Sequence, residues 1–184
     1  MRWEALFTDL EAELAAAQDA DLELEIRDRT RREVAALRLT DRVRPAVGHE
    51  ITVYADGAPP LAGRLTACGP DWLLLAEAHG HELLVPFAAL TGVAGLGRRT
   101  APAGGEGAVS GKLDLRHALR GLARGRLPVA AVLRDATTLH GTLDRVGADF
   151  VEVALHAPGE ARRQPAVTAV RTVPLTALSV VRSG

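Results

Sequence analysis

The chain has 184 residues, 47% of them hydrophobic and 24% charged, which is typical of one compact domain or two small ones. Aromatic residues make up only 3%, which argues against a site of stacked rings, and a single cysteine, Cys68, excludes an internal disulfide or a cysteine-built zinc site. The formal net charge of −1 divides unevenly, because residues 1–97 carry 16 acidic and 9 basic side chains (−7) and residues 98–184 carry 7 acidic and 13 basic (+6).

Residues 1–39 are predicted to form an N-terminal helical segment, because they lack proline and are rich in Ala, Leu, Glu and Arg. Its apolar residues recur at three- and four-residue steps and form a stripe of Trp3, Leu6, Phe7, Leu10 and Leu14. The stripe loses its phase near residues 18–21, so one bent helix and a helix–turn–helix both fit. We expect the stripe to mediate packing or self-association, with a homodimer as the simplest assembly.

The pattern then changes to short strands. After Pro45 short runs such as residues 51–55 alternate with period 2, and Asp56-Gly57 supplies a turn, so residues 40–96 are predicted to form a first small β unit. Residues 97–111 are rich in glycine and contain proline, which predicts a flexible linker. Residues 112–184 are predicted to form an amphipathic helix followed by a second β unit.

The second β unit repeats the first. Residues 61–72 (LAGRLTACGPDW) align with residues 139–150 (LHGTLDRVGADF) at an offset of 78, and residues 85–90 (VPFAAL) align with residues 173–178 (VPLTAL) at an offset of 88. Because the two matches occur in the same order, we interpret them as a tandem duplication. Gly63 and Gly141 lie inside strands, where glycine marks a sharp bend or a close approach of backbones.

A helix, bent strands with a central glycine, a Gly-x-Asp-aromatic turn and a closing Val-Pro strand together resemble the Sm-like (LSm) small barrel. The resemblance covers about residues 40–96 and 113–182, and it is shared in part by other SH3-like barrels. It implies a mainly β fold with two tandem small barrels after the N-terminal helical segment.

The resemblance does not extend to the RNA-contacting residues of Sm proteins. Those proteins carry an Asp-x-x-Asn-type turn and an Arg-Gly segment, whereas the corresponding turns here read Gly69-Pro70-Asp71-Trp72 and Gly147-Ala148-Asp149-Phe150. The closing segments contain no Arg-Gly. No RNA-contact residue of the family is therefore carried over to this chain.

The basic residues of the second half indicate a binding surface of their own. Residues four apart share one face of a helix, so the spacing of the linker helix predicts a basic stripe, and two further arginines fall in the long loop 156–166. These candidate residues are Lys112, Arg116, Arg120, Arg124, Arg162 and Arg163. Phosphates of RNA or DNA, an acidic protein partner and plain solvent each account for such a stripe.

Catalytic and metal-binding motifs are not evident in the sequence. His79-Gly80-His81-Glu82 lacks a third fixed ligand, and no phosphate-cradling loop, G-x-S-x-G or H-E-x-x-H occurs. No apolar run is long enough to span a bilayer, and the early acidic residues, beginning at Glu4, do not fit a signal peptide. Lys112 is the only lysine, and the bias towards Ala, Gly and Arg suggests a GC-rich bacterial genome. We therefore expect a non-catalytic protein of the bacterial cytoplasm with no cofactor and no metal.

The sequence leaves two functions to test. The first is a binding or assembly protein that self-associates through the N-terminal helix. The alternative is an RNA- or DNA-binding regulator that uses helix 112–124 and the 156–166 loop. A third role, scaffolding through an exposed strand edge, has no residue signature.

Overall fold

The architecture is described by a computed structural model for residues 14, 22, 25–78, 80–101, 113–158 and 167–184. The chain divides into two compact units, residues 1–38 and residues 39–184. The first unit is helical at its described residues Leu14 and Leu22 and from 25 to 35, which we name α1 (25–35). No helix in the described part of the chain is long and apolar enough to cross a membrane.

The second unit, which we call the body, is mainly β with short helices. Its helices are α2 (Leu39–Val43), followed by a 3₁₀ turn at Arg44–Ala46, and α3 (Leu115–Gly125). Its strands are β1 (Glu50–Ala55), β2 (Leu61–Cys68), β3 (Trp72–Ala76), β4 (Glu82–Pro86), β5 (Leu90–Ala94), β6 (Pro128–Leu133), β7 (Thr138–Val146), β8 (Phe150–Leu155), β9 (Ala169–Pro174) and β10 (Leu178–Ser183). The predicted mainly β fold is thus confirmed.

These ten strands form one open antiparallel sheet in the order β5-β1-β2-β3-β4-β10-β6-β7-β8-β9. Two closed barrels, the finer expectation from the sequence, are not shown. Within each half the fourth and fifth strands do not pair with each other, and at the centre β4 pairs instead with β10 of the other half, with Leu84 opposite Val181. β5 and β9 lie at the two ends of the sheet.

The two halves of the body, β1–β5 and β6–β10, repeat each other in detail. The β2–β3 pairing shifts register between Leu65 and Ala67, and the β7–β8 pairing shifts between Leu143 and Arg145, which are the same positions at the offset of 78. Each half also has a 3₁₀ turn after its Val-Pro strand, at Phe87–Ala89 and at Leu175–Ala177. The insertion that changes the offset to 88 falls between β8 and β9.

Each half has its own apolar core, and the central strands contribute to both. Leu84 of β4 belongs to the core of the second half, whereas Val180 of β10 belongs to the core of the first. Alternate residues of a strand point to opposite faces, so β4 also presents Leu83 and Val85 to its own core. The β4–β10 pairing therefore joins the two halves by shared apolar burial as well as by hydrogen bonds.

Candidate functional site

Helix α3 is the element that positions the basic residues. Leu115 and Leu119 are buried on its inner face, and Ala118, Leu122 and Ala123 pack beside them on the core of the second half. Their spacing of three and four leaves Arg116, Arg120 and Arg124 exposed on the outer face, as the sequence predicts. Lys112, Arg162 and Arg163 lie outside the described residues.

The beginning of α3 is fixed by aspartates from two places in the chain. The Asp114 carboxylate caps the helix by accepting a hydrogen bond of 2.9 Å from His117 N. Asp71, in the β2–β3 turn, accepts one of 2.8 Å from Leu115 N, and Trp72 Nε1 donates to Leu113 O at 2.7 Å. The first half of the body thereby sets where the basic helix starts.

The pKa values of the two aspartates at the start of α3 are shifted in opposite directions. Burial raises the pKa of Asp71, and the hydrogen bond from Leu115 N only partly opposes this. Burial also acts to raise the pKa of Asp114, but hydrogen bonds from Arg116 and His117 outweigh it and lower that pKa. Asp114 is therefore charged at neutral pH and holds Arg116, whose Nε lies 2.8 Å from Oδ2.

The three described arginines of the stripe are consequently not equivalent. Arg116 is paired with Asp114, whereas Arg120 and Arg124 line a cleft of about 550 Å³ between α3 and β7. His117 and Arg126 also line the cleft, and the sequence pattern had indicated neither of them as a site residue. The one sequence signal for Arg126 was its place directly after Gly125 at the end of the helix.

A second cleft, of about 460 Å³, lies where the two halves meet. It is lined by His81, His140, His156 and Arg182, but most of its polar groups have partners. His156 is buried and bonds to Thr142 Oγ1 at 2.7 Å and to Ala157 O at 3.1 Å, while Arg182 pairs with Glu77 at 2.8 Å. No three His, Cys, Asp or Glu residues of the described ranges are grouped to hold a metal, and His79 lies outside those ranges.

The residues selected for self-association fall in the N-terminal segment. Trp3, Leu6, Phe7 and Leu10 lie outside the described residues, and Leu14 is 62% exposed. In the same segment Leu22, Ile26 and Val34 are also more than half exposed.

Comparison of the chain with protein-family models, with curated proteins and with solved structures found no match. The function of this protein is therefore inferred from its own fold and surfaces.

Proposed function

We propose that this chain is a non-catalytic binding and assembly protein that self-associates through its N-terminal segment, residues 1–39. The observation that carries the proposal is an exposed apolar face on a helix. Leu22, Ile26 and Val34 are 55%, 55% and 61% exposed, and helical spacing puts them within an arc of about 120°. An isolated helix is marginal in water, so burial of such a face supplies most of its stability.

A second copy of the same segment is complementary in charge to the first. Residues 1–26 carry eight acidic and one basic side chain (−7), and residues 27–38 carry five basic and two acidic ones (+3). Two copies in antiparallel contact bring the acidic part of one against the basic part of the other. A parallel contact sets like charges side by side, which disfavours it.

Light scattering at tens of micromolar tests self-association. We expect the wild-type protein to be a dimer and the variants Ile26→Asp and Val34→Asp to be monomers, since each puts a charge into the apolar face. Ala35→Asp is the matched control, because Ala35 is exposed next to Val34 but points to the other side of the helix. A monomeric wild type, or equal dissociation of the control, contradicts the proposal.

A specific observation favours RNA or DNA binding as a second candidate function. Arg120 and Arg124 are exposed, line a common cleft and make no ion pair with another described residue. A first test is nucleic acid retention: the 260/280 nm absorbance ratio of protein purified at low salt and again at high salt. Retained RNA or DNA that leaves at high salt supports this function, and a clean spectrum at low salt argues against it.

We further propose that the two halves of the body are divergent Sm-like units. Support comes from the shared order of a short helix, five strands and a 3₁₀ turn between the fourth and fifth strands. A second shared feature is the glycine inside β2 and β7, Gly63 and Gly141, where the facing strand approaches closely. An experimental structure that showed a different strand order would overturn this assignment.

A further inference from the structure

The cleft between α3 and β7 has an unbalanced charge. Arg120, Arg124 and Arg126 are exposed and make no ion pair with a described residue, and His117 joins them at the rim. Asp144 is the acidic residue among those that line the cleft, and it has an interaction of its own. Among the described lining residues, three guanidinium groups thus share one concave surface with a single carboxylate, so the cleft favours an anion.

Arg126 adds an independent observation, because its backbone is in the left-handed region. Its φ is 48° and ψ 32°, and its N–H donates to Ala123 O at 3.2 Å to end α3. Glycine or asparagine is usual at such a position, and another residue there costs about 1 kcal/mol. The left-handed turn places the long cationic side chain of Arg126 at the cleft, where a continued helix would direct it elsewhere.

The chemistry of the cleft selects among anions. A guanidinium binds phosphate through two parallel hydrogen bonds, and Arg120 and Arg124 are one helical turn, about 6 Å, apart along α3. The described lining contains no Phe, Tyr or Trp, so a base finds no ring on which to stack. Such a surface recognises phosphates in a chain and not the bases attached to them.

We infer that the α3–β7 cleft binds the sugar-phosphate backbone of a nucleic acid without reading its sequence. This inference rests on the second candidate function and narrows it to Arg120, Arg124 and Arg126. It excludes Arg116, whose guanidinium is already occupied by Asp114 at 2.8 Å. The basic stripe seen in the sequence is therefore only partly the binding surface.

Fluorescence anisotropy with a labelled single-stranded RNA of mixed sequence tests the cleft. We expect the full-length variants Arg120→Gln and Arg126→Asn each to weaken affinity roughly tenfold, because each removes one charge-assisted hydrogen bond to phosphate. The slope of log affinity against log salt should fall by about 0.7 for each phosphate that is no longer neutralised. Asparagine tolerates the left-handed backbone at 126, so that variant is expected to fold normally.

Arg116→Gln is the matched control, one helical turn from Arg120 and already neutralised, and it should change affinity less than about twofold. If Arg116→Gln weakens binding as much as Arg120→Gln, the RNA responds to overall charge, and the assignment of the α3–β7 cleft as the binding surface is wrong. If the wild type binds no nucleic acid, the second candidate function itself fails. If poly-glutamate displaces the RNA at equal charge concentration, the cleft serves an acidic protein and the inference is overturned.

Discussion

Gly63 and Gly141 occupy equivalent places in β2 and β7, and both allow a strand backbone to approach closely. A Cβ at Gly63 would lie 2.6 Å from Ala76 O, and one at Gly141 would overlap Ala154 O on the facing strand. Neither glycine has a positive φ, so the requirement is one of space and not of backbone conformation. Of the two interpretations that the sequence left open, a bend and a close approach of backbones, these distances support close approach.

Gly141→Ala is expected to destabilise the body by roughly 1–3 kcal/mol, since the facing backbone has to move. Gly121→Ala is the contrasting variant: nothing lies within 4 Å of a Cβ there, and alanine in a helix is worth about 0.5–1 kcal/mol more than glycine. Urea denaturation followed by circular dichroism measures both free energies of unfolding. Equal effects of the two variants would show that close approach is not the reason for Gly141.

At the scale of elements, α3 depends on a turn from the other half of the body. Asp71 accepts from Leu115 N and Trp72 donates to Leu113 O, so the β2–β3 turn holds the N-terminus of the helix. Both turns share two backbone hydrogen bonds: Gly69 N donates to Trp72 O and Phe87 N to Asp71 O in the first half, as Gly147 N does to Phe150 O and Leu175 N to Asp149 O in the second. The turn of the first half therefore keeps the shared backbone bonds and adds two side-chain contacts at the start of α3.

The raised pKa of Asp71 gives a pH-dependent prediction. Because burial raises it, the folded state binds the Asp71 proton more tightly than the unfolded state does. Ionisation of Asp71 then costs stability as pH rises from about 4 towards the raised pKa, and the cost is constant above that value. Asp71→Asn keeps an acceptor for Leu115 N and removes this cost.

The free energy of unfolding of Asp71→Asn, minus that of the wild type, should therefore increase with pH above about 4 and then level off. Chemical denaturation at a series of pH values measures the difference. Asp149→Asn, the same change at the equivalent turn, is the matched control. A difference for Asp71→Asn that is flat or decreases with pH contradicts the burial argument.

At the scale of the whole molecule, the two halves of the body are joined where β4 meets β10. Leu84 is 3% exposed and packs in the core of the second half, and Val180 packs in the core of the first. At the ends of the sheet the equivalent positions are Thr172, which is exposed, and Gly92, which has no side chain. The joined edges thus carry apolar side chains where the free edges of β9 and β5 do not.

Leu84→Ala is expected to destabilise the body by roughly 2–5 kcal/mol, as for other buried leucines, and Thr172→Ala by less than about 0.5 kcal/mol. Because the cores share strands, residues 39–184 should unfold in a single transition in both variants. Urea denaturation monitored by tryptophan fluorescence and by circular dichroism tests this. Two separate transitions in the wild type would mean that the halves are independent.

The amino-acid sequence determined the local features of this protein. Period-2 alternation located strands, the repeat offset identified equivalent turns, and the four-residue spacing of Arg116, Arg120 and Arg124 predicted the outer face of α3. These features follow from the steric preferences of neighbouring residues and from burial of one face. Both causes are encoded within a few positions of each other.

Only the tertiary structure decided which partners those elements take. The pairing of β4 with β10 joins residues about a hundred positions apart, and it buries Leu84 and Val180 each in the core of the opposite half. Packing likewise decides three local features: the pairing of Arg116 with Asp114, the left-handed backbone of Arg126 and the contact of Asp71 with α3. Sequence spacing placed Arg116, Arg120 and Arg124 on one face of α3. Only the structure shows that they differ, because Arg116 pairs with Asp114 whereas Arg120 and Arg124 line a cleft.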